Sequence, residues 1–414
     1  MDTTARTRMA GLRGFPVLRD VPVILAFLGA GLVAAVDGVD GRIEWRTFWV
    51  SLHLLVLLGA SHAILVWSRY FAETLLRLPS TVRAHRQHLS LLVTFDIASL
   101  LVIVGVGRGW QGAVWCGAAC IIGVAIVHAV WLARGVRRAI ASRFASAIRF
   151  YIAAAVLLPV GVVIGVVMAG ADSRSLLAAD PAEIHERQLL VHLLANVLGW
   201  IGLVVLGTVV AFWPTVLRTR IAVGAERRSR VALWLLLAGL LLAGVAVIVP
   251  VRPLFGPALV LYWAGAVVIG LDLVRVARVK APTSLPAASI GSAFLWFVGL
   301  FAAAIVHVLR ADSWTAATAF VLQGVMALAV GFVAQIIVGA LTYLVPVLLG
   351  GGPAAVRGHI AALERWTLPR VLLTNAGVAL MLVPDARALG IALAALGLGS
   401  AVPLLVVALL RWRT

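Results

Sequence analysis

Two histidines lie a few residues inside long apolar segments, His53 and His192. A polar side chain at membrane depth needs a partner, because an unpaired polar group is costly in hydrocarbon. Two neutral imidazoles on different helices at one depth can each give one nitrogen to a haem iron, while the other N–H takes a neighbouring acceptor. These two residues therefore predict a metal site for haem b, with copper as the second choice.

The similar depths of His53 and His192 in the membrane support their pairing as ligands of one site. At 1.5 Å per residue, His53 lies roughly 9 Å and His192 roughly 6 Å inside one boundary of their segments. His307 ends another segment on the same side and could replace either ligand, and Gln323 lies not far below. Asn196 and Trp200 follow His192 at i+4 and i+8, which predicts one stripe on a helix face. We expect Asn196 to bond a partner helix and Trp200 to pack on a ring.

A second polar group belongs to the opposite side of the same segments, namely His62, Asp96 and His128. His62 follows His53 by nine residues, which places the two on opposite faces of an α-helix and predicts two separate sites. Asp96 is a carboxylate well inside a segment, suited to a proton relay, to a histidine partner or to a hydrogen-bonded structural role. Hydrogen bonding between helices explains each of these histidines equally well.

The elements that must position these residues follow from composition. The chain has 414 residues, of which 63% are hydrophobic and 12% charged, whereas soluble domains are about 45–50% apolar. Apolar runs long enough to cross a bilayer recur throughout. We predict an all-α, polytopic transmembrane helix bundle forming one domain over residues 1–414, with no soluble domain. The twelve predicted spans are 21–37, 47–68, 89–107, 112–134, 147–170, 188–213, 231–250, 253–274, 286–309, 316–345, 368–384 and 388–410.

The net charge of +18 lies between these spans and forms no stripe typical of nucleic-acid binding, so no nucleic-acid partner is predicted. Most of the arginines fall in alternate connecting segments. The positive-inside rule then predicts a multi-pass protein of the plasma membrane, with the lipid bilayer as its environment and both termini in the cytoplasm. His53, His192 and His307 would lie in the outer leaflet, and the second group in the inner leaflet.

Four segments carry a family resemblance, and their order and spacing extend it over nearly the whole chain. They resemble an actinobacterial family of polytopic membrane proteins labelled copper oxidase, which are often fused to multicopper-oxidase or copper nitrite-reductase modules. The segments are GASHAILVWSRYFAETLLR (59–77), SRFASAIRFYIAAAVLLPVG (142–161), HLLANVLGWIGLVVLGTVVAFWPTVLRTR (192–220) and ALAVGFVAQIIVGALTYLVPVLLGGGPAAVRG (327–358).

More remotely, histidines in spans 2 and 6 of twelve are similar to NnrS-type haem- and copper-containing membrane proteins and to subunit I of haem-copper oxidases. The resemblance implies haem binding by outer-leaflet histidines, electron transfer, and the handling of copper or nitrogen oxides. The chain departs from the oxidase pattern, because span 10 has no histidine and no cupredoxin module is present. We therefore assign no catalytic residue and leave open whether the protein is an oxidoreductase.

Two further hypotheses remain. The first is a transporter of a small solute without a redox cofactor, with Asp96, Gln323 and Gln335 lining its path. The second is a membrane partner for a separately encoded cupredoxin or multicopper enzyme on the periplasmic side.

Overall fold

The computed structural model describes residues 20–38, 45–79, 81–139, 145–170, 181–349 and 352–403. Across these ranges the regular structure is helical, with no strand, which confirms the all-α prediction. Long apolar runs favour helices because a helix satisfies its backbone groups within one segment. The helices are α1 (Val21–Gly38), α2 (Trp45–Leu75), α3 (Val82–Arg108), α4 (Gln111–Arg138), α5 (Ala145–Ala169), α6 (Pro181–Leu193, Leu194–Gly202 and Leu203–Val216), α7 (Ala225–Ile248), α8 (Arg252–Val279), α9 (Leu285–Arg310), α10 (Trp314–Leu328, Ala329–Ala334 and Gln335–Leu349), α11 (Pro353–Leu363), α12 (Thr367–Met381) and α13 (Arg387–Gly399).

Ten helices in the described ranges are long and apolar enough to cross a membrane: α2 to α10, and the stretch Pro384–Pro403 that contains α13. The chain is therefore an integral, multi-pass membrane protein by the length and composition of its helices. Each of the twelve predicted spans overlaps a helix in the described ranges. However, the apolar part of α1 is short, at Val21–Val33, and α12 has 15 residues. The count of twelve and the position of the termini stay predictions.

Three of the helices contain a π-helical segment, in which backbone hydrogen bonds run from i to i+5: Leu54–Ala60 in α2, Leu194–Gly202 in α6 and Ala329–Ala334 in α10. Such segments are rare and frequently occur at functional sites. In these three helices, 61%, 72% and 56% of the apolar 18-residue stretch that could cross a membrane is buried inside the protein. The corresponding share is 22–44% for the other seven candidate spans. The three π-containing helices are thus the most enclosed of the candidate spans.

These three helices recur at a constant interval along the chain. Helices α3 to α5 separate α2 from α6, and α7 to α9 separate α6 from α10. Each π segment contains a buried glycine, namely Gly59, Gly199 and Gly331, on which a Cβ atom would lie 3.1 Å or less from a side chain of another helix. Small residues of this kind allow helices to approach closely. No internal repeat is visible in the sequence, so this four-helix period emerges only from the structure.

The contacts divide the chain into two compact units. The first comprises Met1–Ala63, Pro282–Phe297 and Met326–Thr414. Within it the π segment of α2 contacts both α1 and the π segment of α10, around a core of Ala30, Leu55, Ala329 and Ala334. Helices α12 and α13 form a close hairpin, where a Cβ on Gly377 would lie 2.5 Å from the backbone of α13.

The second unit comprises Ile64–Ala281 and Val298–Val325. It contains two helical hairpins, α3 with α4 and α7 with α8, and α5 packs against α4 and against α6. The Asp272 carboxylate on α8 ties the second hairpin together, because it accepts from Arg228 of α7 and from Arg275 of its own helix at 2.7 Å each.

Candidate functional site

His192 lies in α6, two residues before the π segment begins, and its ring reaches a neighbouring helix. Its Nδ1 lies 2.9 Å from the carbonyl oxygen of Gly161 on α5. A carbonyl only accepts hydrogen bonds, so Nδ1 carries the proton and donates it. In the neutral ring Nε2 then holds the lone pair. The fold therefore sets the tautomer of His192 through the backbone of α5.

Two glycines of α5 make room for this contact. Gly161 and Gly165 lie one turn apart on the face towards α6. A Cβ on Gly165 would lie 2.9 Å from Cε1 of His192, and a Cβ on Gly161 would collide with the side-chain amide of Asn196. His192 and Asn196, also one turn apart, thus pack against a groove that any larger side chain on α5 would close.

Asn196 contacts His192 itself. Its Nδ2 lies 3.2 Å from Nδ1 and 3.4 Å from Nε2 of that ring. Because Nδ1 already donates to Gly161, only Nε2 can accept from the amide. The Asn196 Oδ1 is buried and has no hydrogen-bond partner among the described residues. The expected hydrogen bond from Asn196 to a partner helix is therefore absent from the described part of the chain.

Trp200 is almost completely buried, at 1% exposure, inside the π segment of α6. The predicted stripe of His192, Asn196 and Trp200 assumed an uninterrupted α-helix. A π segment has more residues in each turn, so the rotation between Asn196 and Trp200 differs from the one that an α-helix gives. The packing of Trp200 on a ring stays a prediction.

His53 has a similar setting on α2, as the residue directly before the π segment Leu54–Ala60. Its Nδ1 lies 2.8 Å from the carbonyl oxygen of Trp49, which makes Nδ1 the donor. The ring stacks on the Trp49 indole with 3.9 Å between centroids and 25° between planes. His53 and His192 therefore share a tautomer, a backbone carbonyl as the Nδ1 partner, and a position just before a π segment.

The same π segment removes the reason for placing His53 and His62 on opposite faces. That prediction counted nine residues of α-helix, whereas Leu54–Ala60 lies between the two histidines and changes the rotation. His62 is buried, at 1% exposure, and His53 is half-buried.

His307 and Gln323 are both exposed. The His307 ring on α9 stacks on Phe320 of α10, with 4.2 Å between centroids and 11° between planes. Neither side chain has the enclosed setting expected of a residue at a buried metal site.

The second predicted group contains one well-defined contact. His128 on α4 is buried and its Nε2 lies 2.9 Å from the hydroxyl of Ser68 on α2. Asp96 is half-buried on α3. Across the described ranges no cluster of three or more His, Cys, Asp or Glu side chains could hold a metal ion. A haem iron needs only two protein ligands. The finding therefore concerns only sites in which three or more side chains hold a metal ion directly.

Sequence reasoning missed a buried ion pair on α2. Arg69 is 8% exposed; its Nε donates to Glu73 at 2.8 Å and its Nη2 to the Ala84 carbonyl at 3.0 Å. Its guanidinium also lies 4.6 Å from the centre of the Trp131 ring. The predicted second span ended at residue 68 and placed Arg69 in a loop. The i, i+4 spacing of Arg69 and Glu73 was the available signal that the helix continues.

A second cluster that was missed joins α9, α10 and α12 through Trp296, Gln335 and Asn375. We call it the amide–indole cluster. The Trp296 Nε1 donates to the Asn375 Oδ1 at 2.7 Å, and the Gln335 Nε2 points to the same oxygen at 3.5 Å. Gln335 is 1% exposed. The sequence indicated Gln335 as a polar residue at membrane depth but could not identify its partners.

No protein-family model matches the chain, and no curated protein is significantly similar to it. The family resemblance drawn from the sequence therefore stays a prediction, and a function has to be argued from the side-chain geometry described above.

Proposed function

We propose that this integral membrane protein binds haem b through Nε2 of His53 and Nε2 of His192 and serves electron transfer across or along the plasma membrane. The observation that carries the proposal is the shared tautomer, because each ring donates Nδ1–H to a backbone carbonyl. When bound, the haem would supply reversible one-electron chemistry.

The donor set fits a haem. Histidines that bind metals almost always donate the other ring N–H to a carbonyl, carboxylate or water, which fixes the ring and raises its basicity. The acceptor for His192 belongs to another helix, so packing of α5 against α6 orients this ring. The acceptor for His53 belongs to its own helix, and stacking on Trp49 adds a second constraint.

The Asn196 amide would have to move for His192 to bind iron, because its Nδ2 lies 3.4 Å from Nε2. The movement would break the hydrogen bond from Nδ2 to the ring, and a metal at Nε2 would take its place. The Asn196 Oδ1 has no hydrogen-bond partner among the described residues, so rotation of the side chain breaks no bond at that atom. The rotation can also give the oxygen a partner that it now lacks.

The chain has no histidine in α10, the third helix with a π segment. A site built from α2 and α6 alone supplies two imidazoles, which suits a six-coordinate haem whose role is electron transfer. Oxygen reduction needs further ligands and is not part of the proposal. The proposed redox partner is a cupredoxin or multicopper enzyme on the periplasmic side, and the associated chemistry is the handling of copper or nitrogen oxides. In the proposed topology both termini lie in the cytoplasm.

The test is haem content in the variants His53→Gly and His192→Gly. Each should purify as a folded protein with less than about a tenth of the wild-type haem, since one axial ligand is lost. Added imidazole should restore haem binding, because it replaces the missing ring. The matched controls are His307→Gly and His185→Gly, on exposed histidines, which should keep full haem content. Full haem content in folded His53→Gly or His192→Gly protein would rule out that residue as a ligand.

A further inference from the structure

The amide–indole cluster leaves one polar atom unsatisfied. The Gln335 Oε1 is buried and has no hydrogen-bond partner among the described residues. Leaving a buried carbonyl unpaired costs free energy, because water has been removed from it and nothing has replaced the water. Such atoms in a native structure are rare and call for an explanation, such as a ligand, an ion or an ordered water.

The other hydrogen bonds of the cluster fix which way the Gln335 amide points. The Asn375 Nδ2 donates to the Val371 carbonyl at 2.8 Å, so its Oδ1 faces Trp296 and Gln335. Rotating the Gln335 amide by half a turn would set its oxygen against the Asn375 oxygen. The buried Oε1 is therefore an acceptor that has no donor among the described residues.

The chemistry around this acceptor selects the class of ligand. No ionised side chain contributes to the hydrogen bonds of the cluster, so a neutral molecule fits better than an ion. Trp296 and Asn375 are half-buried and border exposed apolar side chains, Leu295 at 72% and Leu372 at 59% exposure. These residues lie in the interiors of α9 and α12, so a ligand would approach from hydrocarbon.

Aromatic side chains flank the cluster. The Phe297 and Phe332 rings stack with 4.5 Å between centroids, beside Trp296 on α9 and one turn before Gln335 on α10. Trp296 is half-buried, so part of its side chain can contact an incoming ring, and aromatic pairs of this kind add to the affinity gained from area burial.

We propose that the amide–indole cluster binds the hydroxyl of a neutral, lipid-soluble hydroxyaromatic compound, a hydroquinone headgroup, with the ligand O–H donating to the Gln335 Oε1. Because that oxygen is closed off in this structure, binding opens the Trp296 edge by a side-chain rotation. The proposal concerns binding only and does not depend on haem.

The experiment compares two probes on the full-length protein in lipid nanodiscs under anaerobic, reducing conditions. Menadiol carries two O–H donors, and its dimethyl ether has the same rings but none. We expect the dissociation constant of menadiol, measured by calorimetry, to be at least tenfold lower than that of the ether. Gln335→Leu should raise the menadiol value to that of the ether. Gln323→Leu, on an exposed glutamine of the same helix, should leave both values unchanged.

Three results would overturn the proposal: equal affinity for the two probes, an unchanged menadiol affinity in Gln335→Leu, or no binding of either, which would mean that an ordered water alone satisfies the oxygen. The comparison of the two probes on the wild-type protein needs no variant, so a Gln335→Leu protein that fails to fold does not prevent the test. Repeating it on haem-depleted His192→Gly protein separates this site from the proposed haem function, since menadiol binding should persist there.

Discussion

In the proposed site, the bond between His192 and the Gly161 carbonyl would serve both helix packing and metal ligation. A histidine hydrogen bond between membrane helices typically contributes about 1 kcal/mol or less, so packing alone gives a weak reason for an imidazole at this depth. The same bond fixes Nδ1 as the donor and gives Nε2 the lone pair that a metal requires. The position just before a π segment, shared with His53, is what favours ligation over packing alone.

Adding one methyl group to the groove on α5 should disturb this arrangement. In Gly161→Ala the new Cβ collides with the Asn196 amide, and overpacking of this kind costs about 1–3 kcal/mol. We expect a lower melting temperature in detergent, measured by scanning fluorimetry. Gly244→Ala on α7 is the control, since nothing lies within 4 Å of its Cβ position. Equal melting temperatures for the two variants would show that the groove is not close-packed.

Removing the buried cation on α2 should be more damaging than removing an exposed one. Arg69→Met leaves the Glu73 carboxylate without its partner, and breaking a buried ion pair in this way costs roughly 3 kcal/mol. Arg275→Met removes a half-exposed partner of Asp272, at 50% side-chain exposure, where about 1 kcal/mol or less is expected. The measurement is the folded fraction by size-exclusion chromatography at increasing temperature. Similar losses would contradict the assigned burial of Arg69.

The residues of the candidate site could be chosen from the sequence, but their partners could not. Spacing places His192 and Asn196 one turn apart, whereas the acceptor for His192 is 31 positions away on another helix. The exposure of His307 was equally hidden, because depth along a helix does not say which face turns outward.

At the scale of elements, apolar length predicted the helices well. The predicted span 286–309 corresponds to Leu285–Arg310, and 112–134 to Gln111–Arg138. Helix α2 continues to Leu75, past the end of the predicted span at residue 68, although Ser68 and the charged Arg69 lie at that end. Both are paired inside the protein, with His128 and with Glu73. The π segments were not predicted at all, since mostly apolar segments of six to nine residues fit either helix type.

A tyrosine on α8 should stabilise the π segment of α6. The Tyr262 hydroxyl donates to the Leu198 carbonyl at 2.9 Å, inside Leu194–Gly202. Tyr262→Phe removes this buried hydrogen bond, a net loss of about 0.5–1.5 kcal/mol. We expect a lower melting temperature and faster amide hydrogen exchange in peptides covering residues 194–202.

Tyr70→Phe on α2 is the matched control for this variant. The Tyr70 side chain packs on Trp67 and Phe71 through its ring, and its hydroxyl has no hydrogen bond within the described ranges. Its removal should change stability by less than about 0.5 kcal/mol. If Tyr262→Phe behaved like Tyr70→Phe, the hydroxyl would have no part in holding the π segment.

At the scale of the whole molecule, the four-helix period marks α2, α6 and α10 as corresponding elements. All three are strongly buried and contain a π segment with a buried glycine. Only α2 and α6 carry a histidine just before that segment. The proposed haem site therefore takes one ligand from α2, one from α6 and none from α10, where Gln335 of the amide–indole cluster follows the π segment instead.

The predicted orientation can be tested with single cysteines in a Cys116→Ser, Cys120→Ser background, since both native thiols are exposed. Val223→Cys lies between α6 and α7 and Asp312→Cys between α9 and α10, both at exposed positions. Three helices separate them, so they should lie on opposite sides. A membrane-impermeant maleimide should label Asp312→Cys in intact spheroplasts and Val223→Cys only after lysis. The reverse pattern, or labelling of both, would contradict the positive-inside assignment.

The most direct test of the central claim is a reduced-minus-oxidised absorption spectrum of the purified protein in detergent, with haem and copper quantified on the same sample. If His53 and His192 bind haem b, the spectrum should show the sharp bands of reduced, six-coordinate haem b at about one haem per chain, and these bands should be lost in His53→Gly and in His192→Gly. A colourless protein without metal, purified from haem-replete cells, would contradict it. His192 and Asn196 would then be packing residues, and solute transport would become the function to test.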